Sequence, residues 1–298
     1  MVLEVRDIHK SFGAKRVLNG LSFTAREGKA FGLLGRNGAG KTTALRIIMS
    51  VFPADSGEVL SDGTVGLDPR RVGYMPEERG LYPKKKIIDQ LVYFARLKGM
   101  STADAVAAAD NWLGRLGMSE YRDKRLDTLS KGNQQKIQLI TALAHDPEVI
   151  ILDEPFSGLD PVNAALLEDV VRDELCRGKT VIFSSHQMNY IEEFCDSIVI
   201  LNGGMAAVSG RLHDIKRSYT RDRLVVRSER AEEIAEEFGE RCFEKDTGEI
   251  IVLMNSPDDK RRMMSYLTEK YDIDDIAVYE PSLNDIFVQY AGESAKPE

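Results

Sequence analysis

The residues with the clearest chemical use stand between 35 and 42, in the run Gly35-Arg36-Asn37-Gly38-Ala39-Gly40-Lys41-Thr42. Its glycines let a loop turn through positive φ angles and keep side chains out of the space where a phosphate would lie. Backbone N–H groups and a helix N-terminus can then point at the anion. Lys41 supplies a mobile cation for β- and γ-phosphates, and the Thr42 hydroxyl is suited to ligate Mg²⁺. A second segment, Val149-Ile150-Ile151-Leu152-Asp153-Glu154, is a wholly apolar run that ends in two carboxylates. This is the pattern of a central parallel strand delivering acids to the ligand-binding edge of its sheet. There Asp153 would orient Mg²⁺ through water, and Glu154 would polarise the water that attacks the γ-phosphate in line. The plainer alternatives are a glycine-rich turn and two acids capping the next helix.

These groups need elements to hold them. The glycine loop follows an apolar strand over Ala30–Leu34 and leads into a helical run over Thr43–Ser50, so Gly35 to Thr43 is taken as the nucleotide-binding segment. From Leu3 to about Gly210, β-type runs alternate with amphipathic helices, which predicts an α/β domain with a largely parallel sheet. Strands are expected at Leu3–Ile8, Leu21–Ala25, Ala30–Leu34, Arg71–Met75, Val149–Leu152, Thr180–Ser184 and Ser197–Leu201. Three- and four-residue apolar spacing over about 87–127 (Leu91, Phe94, Ala95, then Trp112, Leu113, Leu116) predicts a helical insert between two halves of the sheet. Beyond Gly210 the order reads strand (Leu224–Arg227), helix (Ala231–Phe238), strand near Cys242, a Thr247-Gly248 turn, strand (Ile250–Met254), helix (Asp258–Tyr271) and strand (Ile276–Tyr279). That βαββαβ order predicts a small α+β domain of ferredoxin-like type, with a last helix after Pro281-Ser282. The expected boundaries are 1–215 for the first domain, 220–292 for the second and 293–298 for a disordered tail.

Phosphate loop and acidic pair are shared by other P-loop enzymes such as kinases, GTPases and helicases, so other residues must narrow the class. Leu129-Ser130-Lys131-Gly132-Asn133-Gln134-Gln135, just upstream of the acidic strand, resembles the signature sequence of ABC ATPases. Ser130 and the Gly132 N–H, at the start of a helix expected over Gln134–Ala144, would form a second anion site. The resemblance implies a P-loop ABC ATPase core that binds and hydrolyses ATP with Mg²⁺. It also implies a head-to-tail dimer, homodimeric or with a related ATPase, in which Ser130, Lys131, Gly132 and Asn133 of one subunit close over the nucleotide held by Lys41 of the other. Phe12 matches the aromatic that stacks on adenine, although an aromatic packed between two strands would read the same way. Asp160, in Ser157-Gly158-Leu159-Asp160, looks like the loop coupling the two sites. His186 matches a switch histidine that contacts the γ-phosphate and holds Glu154 in place.

Two positions depart from the family pattern. Where Gln is usual after Gly73-Tyr74-Met75-Pro76 stands Glu77, which can still reach the metal but adds negative charge and loses an amide donor. In the signature, Lys131 and Asn133 replace the usual small residue and Gln. Glu77 to Pro83 and Pro281 to Phe287 resemble bacterial ABC exporter ATPases of multidrug, antibiotic or sodium extrusion, which carry a C-terminal accessory domain. The resemblance thus implies integral membrane permease partners and a place at the cytoplasmic face of the membrane.

Composition fits this reading. With 298 residues, 43% of them hydrophobic and 30% charged, the chain has the make-up of an ordinary globular protein of about two domains. No apolar run approaches the ~20 residues of a membrane span, and the N-terminus lacks a secretory leader. Cys176, Cys195 and Cys242 fit unpaired thiols rather than a disulfide framework or zinc site. A net charge of −8 argues against a nucleic-acid partner. The alternative, a soluble ABC ATPase working on ribosomes or nucleic acid, calls for tandem halves, a coiled coil or a zinc insert. The chain has one signature, no sustained heptads and no Cys/His cluster.

Overall fold

A computed structural model describes residues 1–292 except Arg79, Thr220 and Thr247. The expected tail at 293–298 and the Thr247 half of the expected turn lie outside the described residues. The first part of the chain runs β1 (Leu3–Phe12), β2 (Lys15–Ala25), β3 (Ala30–Gly35), α1 (Lys41–Ile48), β4 (Ser56–Ser61), β5 (Thr64–Val65) and β6 (Val72–Met75). It continues through α2 (Ile87–Leu97), α3 (Thr102–Arg115), α4 (Lys131–Leu143), β7 (Val149–Asp153), α5 (Pro161–Cys176), β8 (Thr180–Ser184), α6 (Met188–Phe194), β9 (Cys195–Asn202), β10 (Met205–Arg211) and α7 (Leu212–Arg217).

A six-stranded sheet of order β10-β9-β3-β8-β7-β6 forms the centre. Its strands pair in parallel except β10, which returns antiparallel to β9. β7 and β8 are buried at every position, which is why they read as unbroken apolar runs rather than alternating ones. β1 and β2 do not join this sheet. They form a second, antiparallel sheet with β4 and β5, in the order β2-β1-β4-β5. One core packs Leu3, Val5 and Leu21 of that sheet with Leu33, Ile151, Ile182 and Val199 of the central one, and with Leu45 and Ile48 of α1. The helix behind the glycine loop is thereby fixed from both sides. The insert is helical as expected, α2 and α3, and lies in the chain between the neighbouring strands β6 and β7 at the end of the sheet rather than dividing it.

The remaining elements are β11 (Arg223–Arg227), α8 (Ala231–Phe238), β12 (Cys242–Asp246), β13 (Glu249–Leu253), α9 (Lys260–Lys270), β14 (Asp275–Val278) and α10 (Leu283–Gly292). Their antiparallel sheet, of order β12-β13-β11-β14, has the ferredoxin-like arrangement. Alternate residues Leu224, Val226, Ile250 and Val252 bury against Ile234 and Phe238 of α8 and Leu267 of α9. The described residues divide into two compact units, His213–Ile286 and the rest, with Phe287 to Gly292 grouped with the first.

One partly buried histidine gives the first unit an acid limit. His145, between α4 and β7, bonds through Nε2 to the Val72 carbonyl at 3.0 Å, while its Nδ1 is buried without a partner. Burial pushes its pKa down to about 4 from an ordinary 6.5. The unfolded chain therefore binds the proton more readily than the folded one. His145 contributes its full stability above pH 6.5 and loses it as pH falls toward 4, by up to about 3 kcal/mol. His145→Gln is expected to flatten that acid limb, measured as denaturant midpoint against pH; an unchanged slope relative to wild type would refute the assignment.

Candidate functional site

Gly35 closes β3, and the chain turns through Arg36–Gly40 before α1 begins at Lys41. Gly40 adopts φ +109, where a Cβ would meet the Val17 carbonyl oxygen at 2.9 Å, so strand β2 presses the loop into shape and only glycine fits. At Gly38 (φ +82) a Cβ would meet nothing within 4 Å, leaving open space. That space is a cleft of about 360 Å³. The loop residues Arg36, Asn37, Gly38 and Gly40 line it with Lys41, Thr42 and Thr43, and Phe12, Glu77 and Glu154 complete it. Gly35 and Ala39 support the loop from behind, Ala39 against the core. Lys15 and Val17 of β2 also face the cleft, and no local pattern in the sequence marks them.

Lys41 is buried, its Nζ donating to the Gly35 carbonyl at 2.6 Å. Burial lowers its pKa, while the carboxylates of Glu154, Asp153 and Glu77 work in the opposite sense. Burial also raises the pKa of Asp153, and the neighbouring Glu154 charge raises it further. Desolvated charges of both signs thus share one region, which suits a ligand bringing its own cation and anion.

β7 delivers the acid pair. The Tyr74 hydroxyl donates to Asp153 Oδ2 at 3.4 Å. Glu154, with φ +50, turns away from the strand, its N–H bonding to the Ser184 carbonyl at 2.7 Å. Its Oε1 lies 2.7 Å from His186 Nδ1, and its Oε2 accepts from Ser185 Oγ at 2.9 Å. Glu154 is buried whereas His186 is exposed, so the histidine sits between the carboxylate and solvent. Ser185 was not among the sequence candidates; its position beside the histidine was its only signal.

Phe12 is half-exposed at the end of β1, edge-on to Phe52 at 5.7 Å, with one side open to the cleft. The signature lies elsewhere. α4 begins at Lys131, three residues before the expected start, because Ser130 is its N-cap: Oγ accepts from the Asn133 N–H at 3.3 Å. Ser130 and Lys131 are exposed, and neither they nor Gly132 and Asn133 line the cleft. Asp160 caps α5, accepting from the Asn163 N–H at 3.0 Å, and the Asn163 side chain lies against Gly132.

Comparison with known proteins decides the class. Residues 18–157 match the ABC transporter family. Over 98% of this chain and 99% of its own length, the ABC transporter ATP-binding protein YhaQ of Bacillus subtilis, itself uncharacterized, is 41% identical. The chain belongs to the ABC transporter ATP-binding proteins. As an ABC ATP-binding subunit it hydrolyses ATP to drive transport, and subunits of this kind dimerise and work with membrane permeases. Residues 210–291 match the C-terminal domain of DrrA1-3-like ATP-binding proteins. The linearmycin resistance ATP-binding protein LnrL of Bacillus subtilis is 33% identical over 72% of this chain and 70% of its own. A solved ATP-binding subunit of an ABC transporter superposes with a TM-score of 0.68 and 30% identity, covering 73% of this chain and 93% of that one. Among the described residues of this ABC subunit, no helix is long and apolar enough to cross a membrane.

Proposed function

We propose that two copies of this chain, or one copy and a related ATPase, close head to tail around two Mg-ATP and drive export through separate membrane permeases at the cytoplasmic face of the membrane. The observation that carries the dimer is the position of Ser130. It caps a helix end in open solvent, outside the cleft that holds Lys41 and Glu154, so an anion at that end belongs to another subunit's nucleotide.

Within each site Lys41 and the loop N–H groups hold the phosphates, Phe12 takes the adenine, and Glu154 orients the attacking water. His186 contacts the γ-phosphate and, with Ser185, keeps Glu154 aimed. Thr42, Asp153 and Glu77 would hold Mg²⁺, which neutralises charge on the transferring phosphoryl group. Among the described residues no three acidic, histidine or cysteine side chains converge into a ready-made metal cage. That suits Mg²⁺, which is held by one or two carboxylates together with phosphate oxygens and water. Export is favoured by relatives named for it, the linearmycin resistance protein and the Nod factor export ATP-binding protein I of Rhizobium etli, 34% identical over 72% of this chain. Residues 1–215 serve as the ATP-binding domain and 220–292 as an accessory domain.

Complementation tests the shared site. Lys41→Ala and Ser130→Glu chains should each be nearly inactive alone. Mixed dimers carry both lesions in one site and none in the other, so an equimolar mixture should regain phosphate release. A mixture no more active than its components would overturn the head-to-tail arrangement.

A further inference from the structure

Helix α4 carries the signature at its N-terminus, and its inner face is apolar, with Ile137, Leu139, Ile140 and Leu143 buried. Gln138 interrupts that face. At 5% exposure a primary amide needs partners, and Gln138 finds them in the loop that follows β6. Its Nε2 donates to the Pro76 carbonyl at 2.6 Å and to the Glu78 carbonyl at 3.1 Å. Those two carbonyls flank Glu77, whose side chain faces the cleft. One turn earlier on the same side of the helix, Gln135 Nε2 donates to the Pro155 carbonyl at 2.5 Å, next to Glu154.

The helix has little freedom to slide. A Cβ on Gly73 of β6 would meet the Ala142 carbonyl at 2.2 Å, so the α4 backbone rests directly on the strand that leads into the loop. A rigid helix therefore grips the loop by its main chain and leaves the Glu77 side chain free to serve the cleft.

We propose that Gln138 is a positioning residue for Glu77, fixing the carboxylate on the metal side of the nucleotide site. The proposal rests on the reading of Glu77 as a metal-side group given above. The grip acts on backbone carbonyls and so works for whichever side chain stands at 77, but its consequence is read through that carboxylate. Loosening it lets Glu77 sample positions away from the metal while the phosphate loop, held by β2 and α1, stays in place.

The test is the Mg²⁺ dependence of ATP hydrolysis by the full-length chain. Gln138→Met keeps the side-chain length and removes both donors. It is expected to raise the Mg²⁺ concentration for half-maximal hydrolysis by roughly 10-fold, as loss of a group that orients a metal ligand does. Affinity for ATP in EDTA should not change. Gln138→Lys should stay near wild type, since Lys98 of this chain already holds two carbonyls, those of Pro69 and Val72, through one Nζ at 2.7 and 2.9 Å. Gln138→Glu should do at least as much harm as Gln138→Met because a carboxylate repels both carbonyls. If Gln138→Met fails to fold, the Lys and Glu variants make the same comparison. In a Glu77→Ala background, Gln138→Met should add nothing.

An effect of Glu77→Ala on Mg²⁺ dependence that Gln138→Met does not share would overturn the positioning role alone. A Glu77→Ala chain with wild-type Mg²⁺ dependence would remove the metal-side reading of Glu77 and the positioning role with it. Losses that multiply in the double variant would mean that Gln138 acts independently of Glu77, which also refutes the proposal.

Discussion

Glu154→Gln should lower ATP hydrolysis by roughly 10²–10⁴-fold, the range associated with a positioned general base or water-orienting group. Nucleotide binding should survive. The amide keeps the carboxylate's shape, the phosphate loop lies on a different strand, and removing one negative charge beside Lys41 weakens repulsion toward phosphates. Binding without turnover holds the two subunits on their shared ATP, so sizing chromatography with ATP should move the variant to twice the wild-type monomer mass. Undiminished phosphate release would show that Glu154 does not act on the water. An ATP-bound monomer would instead count against the sandwich.

Lys41→Ala acts at the other end of the reaction. The ammonium is buried in the cleft and linked electrostatically to all three nearby carboxylates. Its loss removes charge-assisted bonds to the phosphates and leaves Glu154, Asp153 and Glu77 with no ammonium beside them. A buried charge-assisted bond contributes about 1.5–3 kcal/mol, and the unbalanced acids add to the loss. Affinity for ATP should therefore fall by on the order of 10²-fold, measured by titration with a fluorescent ATP analogue. Adenosine, which brings no phosphate, should bind as weakly to the variant as to wild type. A variant with wild-type ATP affinity would remove Lys41 from the phosphate site. Together the two substitutions separate holding the nucleotide from cleaving it.

The parts of this site that were legible from sequence are those whose chemistry is local. The glycine loop announces itself because a phosphate needs consecutive N–H groups, and β7 because a strand buried on both faces cannot alternate. Strand β4 of the second sheet and the antiparallel edge strand of the central one were not visible. β4 carries Gly57 and Glu58 in a six-residue strand, and β10 is built largely of small residues, so neither shows the branched, alternating pattern of a strand. That β1 and β2 leave the parallel sheet depends on pairings with β4 far along the chain, which no local window contains. The start of α4 was misplaced because Lys131-Gly132-Asn133 holds a glycine and an asparagine, poor helix formers, yet the Ser130 cap outweighs them. Gln135 was read only as part of the signature, and Gln138 and Ser185 were not candidates, for a different reason. Their partners are main-chain carbonyls and a carboxylate brought near only by folding, and glutamine in a helix otherwise looks like surface.

The left-handed backbone of Glu154 has a consequence for how this molecule trades durability against work. A side-chain-bearing residue held at φ +50 costs about 1–2 kcal/mol that glycine would not incur. Glycine there would remove that backbone cost, but with it the contacts to Ser185 and His186 and, on the proposed role of Glu154, the hydrolytic step. Keeping glutamate there means that the bend turning it toward Ser185 and His186 is sustained continuously by the rest of the domain, whether or not a nucleotide is bound.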